Sequence, residues 1–600
     1  MIITSEATDS PSIATDDLPP LVVENEQADT DRFVLASLEE LRLEFHTASG
    51  GGVSGGGGGS SGSGGPQSHC LVTLLKGSCE IVGVELALQK PYRLDLTATS
   101  TNALRSLAIF SFHGCVLDIV YHPDKDSLLS YAYVCTSDDT TSNIAYVNTH
   151  AQLEVLRDDA VLAQRHQQQQ KHENTTMSDE DLTTMGPRVL IVGGRETGKT
   201  TLTKTLLAYA CKLGRTPLWV DLDMTHNAIS VDGTIACVPM IQSTGGNPNN
   251  NTNNMTKDDS ISVESFAAVN SGCCIPPTSS VSPVSLWHGT ANPSKVNVDL
   301  LCEQISALGE KLSHRLTVTT TSSTTEEETG GGAAWERSSG IIVDTPSCFV
   351  ETYDSTGSIT SDEGHTLLLH TVEALKISVI LVVGHDKLYS LLRSHFASPD
   401  ENNSSSIKVI KLPKSDGIVA RDINYMRRLR SCTMKRYFYG GMVDAPNVSG
   451  GTIAATGGST THRVPQLTPF LLQLPFAQVR LYKFTSIHLA ASLLPVAAQQ
   501  TTEAVQLVEV SLTANNNDGN NKKSATSVLQ QHMLLAVCHP HAVDKYLESG
   551  NAKDLYTAGV AGFVAVERIL PETEMLHLLS PCAGSLPSNT LLVGDVTWME

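Results

Sequence analysis

Short runs of apolar residues, broken by Gly, Asp or Asn, fill the chain from residue 33 to residue 150. Regularly spaced runs of this length predict β-strands packed as a small sandwich or barrel. The clearest are HCLVTLLKG and SLAIFSFHGC, and the last predicted strand is IAYVNTH at 144–150. The pattern then becomes helical at AQLEVLRDDAVLAQRHQ, which predicts a helix leading away from the β-rich region.

A different pattern begins at residue 187. Fully apolar runs at RVLIV, TPLWVDLD, SGIIVDTPS and ISVILVV alternate with helical patterns, the longest of them at 296–316. Continuous apolar strands alternating with helices predict a parallel sheet covered on both faces. After residue 464 the sequence returns to short alternating strands, which predicts another β-rich domain with some helix, of the α+β class.

Low-complexity stretches interrupt these patterns, and they are too poor in large apolar residues to offset the entropy of ordering. We therefore predict an α/β protein with flanking β-rich domains. The predicted parts are a disordered tail at 1–32, an N-terminal β-domain at 33–165 with a disordered Gly/Ser loop at 49–66, a linker at 166–186, an α/β domain at 187–440 with disordered insertions near 242–282 and 317–334, a linker at 441–464 and a C-terminal domain at 465–600.

The net charge of −22 argues against a protein that coats nucleic acid nonspecifically, because neutralising phosphates needs clustered Lys and Arg. A local basic site is compatible with that charge. The N-terminus lacks the features of a signal peptide, and no run approaches the roughly 18 apolar residues of a membrane helix. We expect a soluble intracellular protein that does not interact with membranes.

The stretch GGRETGKTT carries the first candidate chemistry. Gly193, Gly198, Lys199 and Thr200 satisfy G-x-x-x-x-G-K-[ST] between a predicted strand and a predicted helix, the context this motif requires. In such a loop the backbone N–H groups wrap the nucleotide phosphates, the lysine bridges them, and the threonine hydroxyl binds Mg²⁺. The cofactor-binding residues predicted in the loop are Gly193, Glu196, Thr197, Gly198, Lys199, Thr200 and Thr201.

The motifs of a GTPase are missing. The stretch DTPS lacks the glycine of Asp-x-x-Gly, and GHDK lacks the Asn-Lys-x-Asp clamp for guanine. The sequence therefore favours ATP over GTP.

A kinase needs an acid that helps to hold Mg²⁺ and takes a proton from the acceptor, and arginines that cover the transferred phosphoryl group. Asp223, predicted to end the strand LWVDLD, is the candidate acid and Mg²⁺ ligand, and Asp221 faces the same way two residues earlier. The alternative is that either carboxylate caps a strand end in solvent. Whether Asp344, after the third strand, contacts Mg²⁺ through water is left open by the sequence. Arg427 and Arg430, three residues apart, are the candidate arginines, with a solvated basic helix as the alternative.

Several further motifs stand in a fixed order around the glycine loop and its following strand. They are ELRLEF, KGSCEIVGVEL and YVNTHAQLE before the loop, and LPKSDGIVARD, KRYFYGG and the closing LLVGDVTWME after it. This ordered set resembles the Clp1 family, the polynucleotide 5′-hydroxyl kinase-like subunit of eukaryotic pre-mRNA cleavage and polyadenylation factors. The resemblance implies a nuclear, three-domain protein that binds ATP and Mg²⁺. It also implies docking on a scaffold subunit that links cleavage to RNA polymerase II, with RNA contacted directly or through the complex.

The resemblance also implies two nucleotide contacts from the β-domain, at Glu44 in LRLEF and at Lys90 in QKPYRL. The residues alone would make Glu44 a solvent-facing strand residue and Lys90 a charge beside a loop.

The chain departs from the active RNA kinases of the family at their substrate motifs. Met224–His226 stand where the family has x-Gly-Gln after the aspartate, and Ser347 stands where it has the glycine of a Thr-x-Gly-Trp clasp. Cys348 or Phe349 takes the place of the tryptophan that stacks on an RNA base, and Thr433 replaces a basic lid residue, with Lys435 at another basic position. Loss of the aromatic side chain removes roughly 1–3 kcal/mol of stacking energy per bound base.

Two hypotheses follow. In the favoured one, the chain is an ATP-holding subunit of the cleavage factor, required for endonucleolytic cleavage during mRNA 3′-end formation. In the other, it is an active 5′-hydroxyl kinase acting on RNA in mRNA or tRNA processing, with Lys199, Asp223, Arg427 and Arg430 as catalytic residues and His226 as an unusual substitute. A related kinase of ribosomal RNA processing is a weaker third possibility.

Overall fold

The structure, a computed structural model, divides into two compact units, which are described separately. The first contains Met1–Asp223, Cys237–Ser271 and Ile305–Leu429, and the second contains Met224–Ala236, Gly272–Gln304 and Arg430–Glu600. The described residues are 29–45, 69–95, 106–122, 125–172, 185–241, 261–262, 283–317, 336–350, 361–396, 407–440, 442–444, 463–465, 467–486, 505–510 and 529–598.

The N-terminal part of the first unit is a β-sandwich, as predicted. Its two sheets enclose a core of alternate strand residues such as Leu41, Leu43, Ile109 and Leu117. In order across the first sheet, the strands are Asp29–Leu35, Cys115–His122, His69–Gly77 and Pro91–Asp95. Across the second they are Val84–Glu85, Glu80–Ile81, Ser106–Ser111, Glu39–Phe45 and Leu129–Cys135.

Three predictions in this region were wrong. The first strand begins at Asp29, inside the predicted tail, because Arg32 forms a bidentate ion pair with Asp118 at 2.7 and 2.8 Å on the neighbouring strand. IAYVNTH is not a strand but the start of helix Thr141–His172, whose buried residues Tyr146 and Leu153 recur at helical spacing. This helix also continues into the predicted linker at 166–186.

The α/β domain contains the predicted parallel sheet. The strands, in order across it, are Ile261–Ser262, Thr234–Ile241, Leu218–Asp221, Ile341–Asp344, Arg188–Gly193, Val379–Val383 and Lys408–Leu412. The central strand, Arg188–Gly193, pairs in parallel with both neighbours, and every one of its residues is buried. The helices are Lys199–Lys212, Val298–Thr317, Ser361–Ala374, Asp386–His395 and Ile423–Tyr439, and a short 3-10 helix spans Ser347–Phe349.

Three predicted disordered regions and one predicted linker lie largely outside the described residues: the loop at 49–66, the insertions near 242–282 and 317–334, and the linker at 441–464. Within these regions, the structure places a two-residue strand at Ile261–Ser262 and a two-stranded pairing of Met442–Asp444 with Arg463–Pro465.

The β-sandwich packs directly on the helix Lys199–Lys212. The Tyr209 hydroxyl donates to Glu80 Oε1 at 2.5 Å, and Lys212 pairs with Glu85. Burial raises the pKa of Glu80 to about 7, which the Tyr209 hydrogen bond and the Lys212 charge partly oppose. On the other side of Tyr209, its ring lies 5.4 Å from that of His150 in helix Thr141–His172. The helix that begins at the glycine loop is thus held by the N-terminal domain.

The second unit contains the predicted β-rich C-terminal domain. Its seven strands, in order across the sheet, are Phe470–Pro475, Met575–Ser580, Val560–Leu570, Met533–Cys538, Thr590–Thr597, Arg480–Ser486 and Val505–Glu509. Helices Pro540–Ser549 and Lys553–Tyr556 and strand Val284–Trp287 complete the unit. Phe438 stacks on Trp598 in its core, with 5.0 Å between ring centroids. Across the described ranges, no helix combines the length and apolar character of a membrane span.

Candidate nucleotide-binding site

The glycine loop joins the central strand to helix Lys199–Lys212, the strand-loop-helix arrangement predicted from its motif. Gly198 has φ = 85°, a left-handed conformation that glycine adopts without strain, and it immediately precedes the helix. Gly198 has no side chain with which to cap this helix start, and a helix leaves its first backbone N–H groups without partners inside the helix. An anionic phosphate at this position would supply an acceptor and would also meet the positive end of the helix dipole.

Lys199 is folded back across the loop. Its ammonium donates to the carbonyl oxygen of Gly194 at 2.7 Å, and the Thr197 hydroxyl donates to the same oxygen at 3.0 Å. Lys199 is 9% exposed, so its charge is directed into the loop rather than into bulk solvent. Since a phosphate oxygen is a stronger acceptor than a carbonyl, a bound nucleotide would compete for this ammonium.

Thr200 meets Asp344, the acid whose contact with Mg²⁺ the sequence leaves open. Its hydroxyl donates to Asp344 Oδ2 at 2.5 Å. Asp344 ends the strand Ile341–Asp344 and pairs in register with Ile191 of the central strand and with Asp221. Burial raises the pKa of Asp344 to about 6, while the Thr200 hydrogen bond and the Lys199 charge act in the opposite direction.

The oxygens at this position fit a hydrated Mg²⁺ ion. Asp344 is 1% exposed, and within the described part of the chain its Oδ1 atom has no hydrogen-bond partner. A buried carboxylate oxygen without a partner is unfavourable, and Mg²⁺ prefers carboxylate, hydroxyl and water oxygens. Thr200 Oγ1 and Asp344 Oδ1 are therefore the first candidates for holding the ion, directly or through water.

Asp223 is displaced from its predicted position. The strand ends at Asp221, so Asp223 lies two residues beyond it, and its backbone N–H donates to Asp221 Oδ1 at 2.9 Å. Asp221 is fully buried and supports the turn, whereas Asp223 is half-buried. The Asp223 charge also raises the pKa of Asp344, which places the two carboxyl groups in the same electrostatic neighbourhood. Asp223 remains a candidate second acid, next to Asp344.

The other predicted loop residues differ in their surroundings. Glu196 adopts φ = 53°, and its Oε1 accepts the backbone N–H of Arg421 at 2.9 Å. Its carboxylate thus anchors the loop to another segment of the α/β domain. Thr201 is exposed on the first turn of the helix.

The two β-domain residues implied by the resemblance, Glu44 and Lys90, make side-chain contacts within the β-domain. Glu44 accepts a hydrogen bond from the Tyr133 hydroxyl at 3.3 Å. Lys90 is exposed, and its ammonium lies 5.2 Å from the centroid of the Tyr92 ring. Where the structure describes the chain, neither residue has a hydrogen bond or ion pair with the loop.

The two candidate lid arginines occupy different environments on helix Ile423–Tyr439. Arg427 is exposed. Arg430 lies 3.8 Å from the buried Asp232 carboxylate and donates to the Ala291 carbonyl at 3.4 Å. Arg430 is therefore held within the second unit, and Arg427 is the more accessible of the two.

No aromatic surface is presented at Ser347–Phe349, where the resemblance places the base-stacking tryptophan of active kinases. Cys348 is 3% exposed and Phe349 is 2% exposed, both within the 3-10 helix. Thr433, at the lid position, is also buried.

Comparison with known proteins matches each domain in turn. The P-loop model of mRNA cleavage and polyadenylation factor CLP1 matches residues 193–262 and 277–440. The N-terminal beta-sandwich model of polyadenylation factor matches 64–160, and the model of pre-mRNA cleavage complex II protein Clp1 matches 467–600. The chain belongs to the Clp1 family. The glycine loop, Asp344 and both lid arginines lie within the match to the Clp1 P-loop model.

Relatives in the Clp1 family align over most of their length. The mRNA cleavage and polyadenylation factor CLP1 of Laccaria bicolor is 28% identical over 89% of this chain and 95% of its own. The CLP1 homologue of Anopheles gambiae is 27% identical over 88% of this chain and 92% of its own. A solved Clp1p–Pcf11p complex has 19% identity, a TM-score of 0.58, and coverage of 95% of this chain and 99% of that one. At that identity the structural likeness establishes the fold.

Proposed function

We propose that this Clp1-family chain is an ATP-binding subunit of the pre-mRNA 3′-end cleavage and polyadenylation factor, working in the nucleus and holding Mg²⁺-ATP without turning it over. The observation that carries ATP binding is the convergence of Lys199, Thr200 and Asp344 at the start of one helix. Lys199 and the N–H groups of the loop would hold the phosphates. Thr200 and Asp344, with Asp223 nearby, would hold the ion, which neutralises phosphate charge when it is bound.

The assignment to the cleavage factor is supported by relatives that carry this name and align along nearly their whole length. We propose a scaffold subunit as the direct partner, because the solved structure of similar fold is a complex with Pcf11p. The scaffold would connect the chain to RNA polymerase II, and RNA would be reached directly or through the complex.

The burial of Cys348 and Phe349 favours holding over transfer. Without an aromatic face at that place, an acceptor RNA loses the stacking that would fix its 5′ end near the γ-phosphate. The nucleotide would instead stabilise the arrangement of the β-sandwich on helix Lys199–Lys212, which the Tyr209–Glu80 hydrogen bond already supports.

Active kinase chemistry is the second candidate, favoured by the exposure of Arg427 and by the half-buried Asp223 beside Asp344. In that case Asp223 would accept the proton of the RNA 5′-hydroxyl, and Arg427 would cover the transferred phosphoryl group.

The factor assignment is tested in a nuclear extract depleted of its own Clp1-family subunit. Adding the full chain is expected to restore endonucleolytic cleavage of a pre-mRNA substrate, measured as cleaved RNA per unit time. Arg427→Ala protein should restore cleavage equally, since a nucleotide that is only held needs no residue to cover a transferred phosphoryl group. If the wild-type chain, added with its scaffold partner, fails to restore cleavage, the assignment is rejected. Selective failure of Arg427→Ala would favour the kinase.

A further inference from the structure

The segment Pro413–Arg421, which we call the bridging segment, contacts both the β-sandwich side of the first unit and the glycine loop. It follows the edge strand Lys408–Leu412 of the parallel sheet. At its start, the Tyr146 hydroxyl donates to the Pro413 carbonyl at 3.1 Å. At its end, the Arg421 backbone N–H donates to Glu196 of the glycine loop at 2.9 Å.

In the middle of the bridging segment, Gly417 packs against the guanidinium of Arg42. A Cβ atom on Gly417 would lie 2.8 Å from Arg42 Cζ and Nε, closer than real contacts allow. Arg42 is 8% exposed, and its Nε donates to Glu40 at 2.6 Å. Glu40 in turn accepts from Asn143 at 3.0 Å. The guanidinium is therefore held by Glu40 where it meets the segment, and a side chain at position 417 would have to displace it.

The residue after Gly417, Ile418, packs against the glycine loop. Ile418 Cδ1 lies 3.1 Å from the position of a Cβ on Gly198, the residue that immediately precedes the helix. The order of contacts is thus Arg42, Gly417, Ile418 and Gly198, with Arg421 and Glu196 as a second link to the loop.

We infer that Arg42 and Gly417 are positioning residues for the phosphate-binding loop. The contact between Arg42 and Gly417 fixes the position of the bridging segment relative to the glycine loop. That position places Ile418 against Gly198 and lets the Arg421 N–H donate to Glu196. The loop is then ordered before the nucleotide arrives, and ordering in advance strengthens binding because less entropy is lost on association. The inference rests on the proposed nucleotide site but concerns residues outside the phosphate-binding motif.

A double-mutant cycle on the full chain tests the inference, with Mg²⁺-ATP as the titrated ligand. Arg42→Ala and Gly417→Ala are each expected to raise the ATP dissociation constant about 5-fold to 10-fold. Because the alanine methyl on Gly417 acts by displacing the guanidinium, Gly417→Ala should add little in the Arg42→Ala background. Arg42→Lys, which keeps the pairing with Glu40, should give an intermediate value.

Matched controls separate positioning from general damage. Arg32→Ala breaks a β-sandwich ion pair elsewhere, to Asp118, and Gly559→Ala adds a methyl where the nearest atoms are 3.8 Å away. Neither should change the ATP dissociation constant. Amide hydrogen exchange without nucleotide supplies a second readout. Peptides covering 193–201 should exchange faster in Arg42→Ala and Gly417→Ala, while the strand 188–192 stays protected.

The outcomes are distinct from those of the proposed function. Wild-type ATP binding that Lys199→Ala removes, with unchanged affinity and loop exchange in Arg42→Ala and Gly417→Ala, would overturn the inference and leave the nucleotide site standing. If the fold-changes in the ATP dissociation constant multiply in the double variant, the inference is also overturned. Independent effects would mean that the two residues do not act through their mutual contact. If the wild type binds no ATP, the nucleotide site fails, and loop exchange without nucleotide still decides the inference.

Discussion

Lys199→Ala protein is expected to bind ATP about 100-fold more weakly than the wild type. The structure directs the Lys199 ammonium into the glycine loop, where it donates to the Gly194 carbonyl at 2.7 Å. Charge-assisted hydrogen bonds to phosphate are worth about 1.5–3 kcal/mol, and each 1.4 kcal/mol is tenfold in affinity. Titration of the full chain with a fluorescent ATP analogue measures the loss.

Lys212→Ala is the matched control, because it removes a lysine from the other end of the same helix, where the side chain pairs with Glu85. Its affinity for ATP should stay within about twofold of the wild type, since solvent-exposed ion pairs contribute little energy. Equal affinities for ATP in wild type and Lys199→Ala would contradict the assignment of the loop as the phosphate site.

Asp344→Asn is expected to remove most of the Mg²⁺ dependence of ATP binding. In the wild type, Mg²⁺ should strengthen binding about 10-fold to 100-fold, because the carboxylate supplies both charge and an oxygen ligand to the ion. The asparagine keeps the shape and the acceptor for the Thr200 hydroxyl but loses the charge. Titrations with Mg²⁺ and with EDTA give the ratio for each protein.

The Mg²⁺ dependence of ATP binding should also change with pH, in a direction set by the ionisation of Asp344. Burial raises the pKa of Asp344 to about 6, so its carboxyl is mostly protonated at pH 5 and mostly ionised at pH 7. Mg²⁺ binds the ionised form, and the Mg²⁺-dependent gain in ATP affinity should therefore grow as the pH rises from about 5 to about 7. In Asp344→Asn this gain should be small at every pH in that range.

Asp386→Asn, which changes an exposed aspartate, is the control and should match the wild type. A wild-type profile that falls with rising pH would contradict a role for Asp344 in holding the ion.

Local patterns were sufficient to predict the sandwich, the parallel sheet and the glycine loop with its following helix. Each depends on residues close together in sequence, such as the buried run at Arg188–Gly193 and the spacing from Gly193 to Thr200. The prediction of a strand at 144–150 was wrong for the same reason, because a short apolar run has no periodicity that separates a strand from a buried helix.

The parts of the site that the sequence left open depend on contacts between residues far apart in the chain. Asp344 meets Thr200 because strand Ile341–Asp344 inserts between Leu218–Asp221 and the central strand, and strand order is not visible in the periodicity of either segment. A usable signal was present, since Asp344 is an acid at the end of a fully apolar run. The ion pair between Arg430 and Asp232 had no comparable signal, because the sequence around neither residue indicates that the other is its partner.

The central claim is that the chain holds ATP without passing its γ-phosphate to RNA. The most direct measurement incubates the full chain with Mg²⁺, γ-labelled ATP and a 5′-hydroxyl oligoribonucleotide, and follows the label in protein-bound ATP and in RNA. We predict label that remains in intact bound ATP, with RNA at the background given by Lys199→Ala protein. Label that accumulates on RNA in the wild type and disappears in Lys199→Ala would contradict the claim and identify the chain as a working kinase.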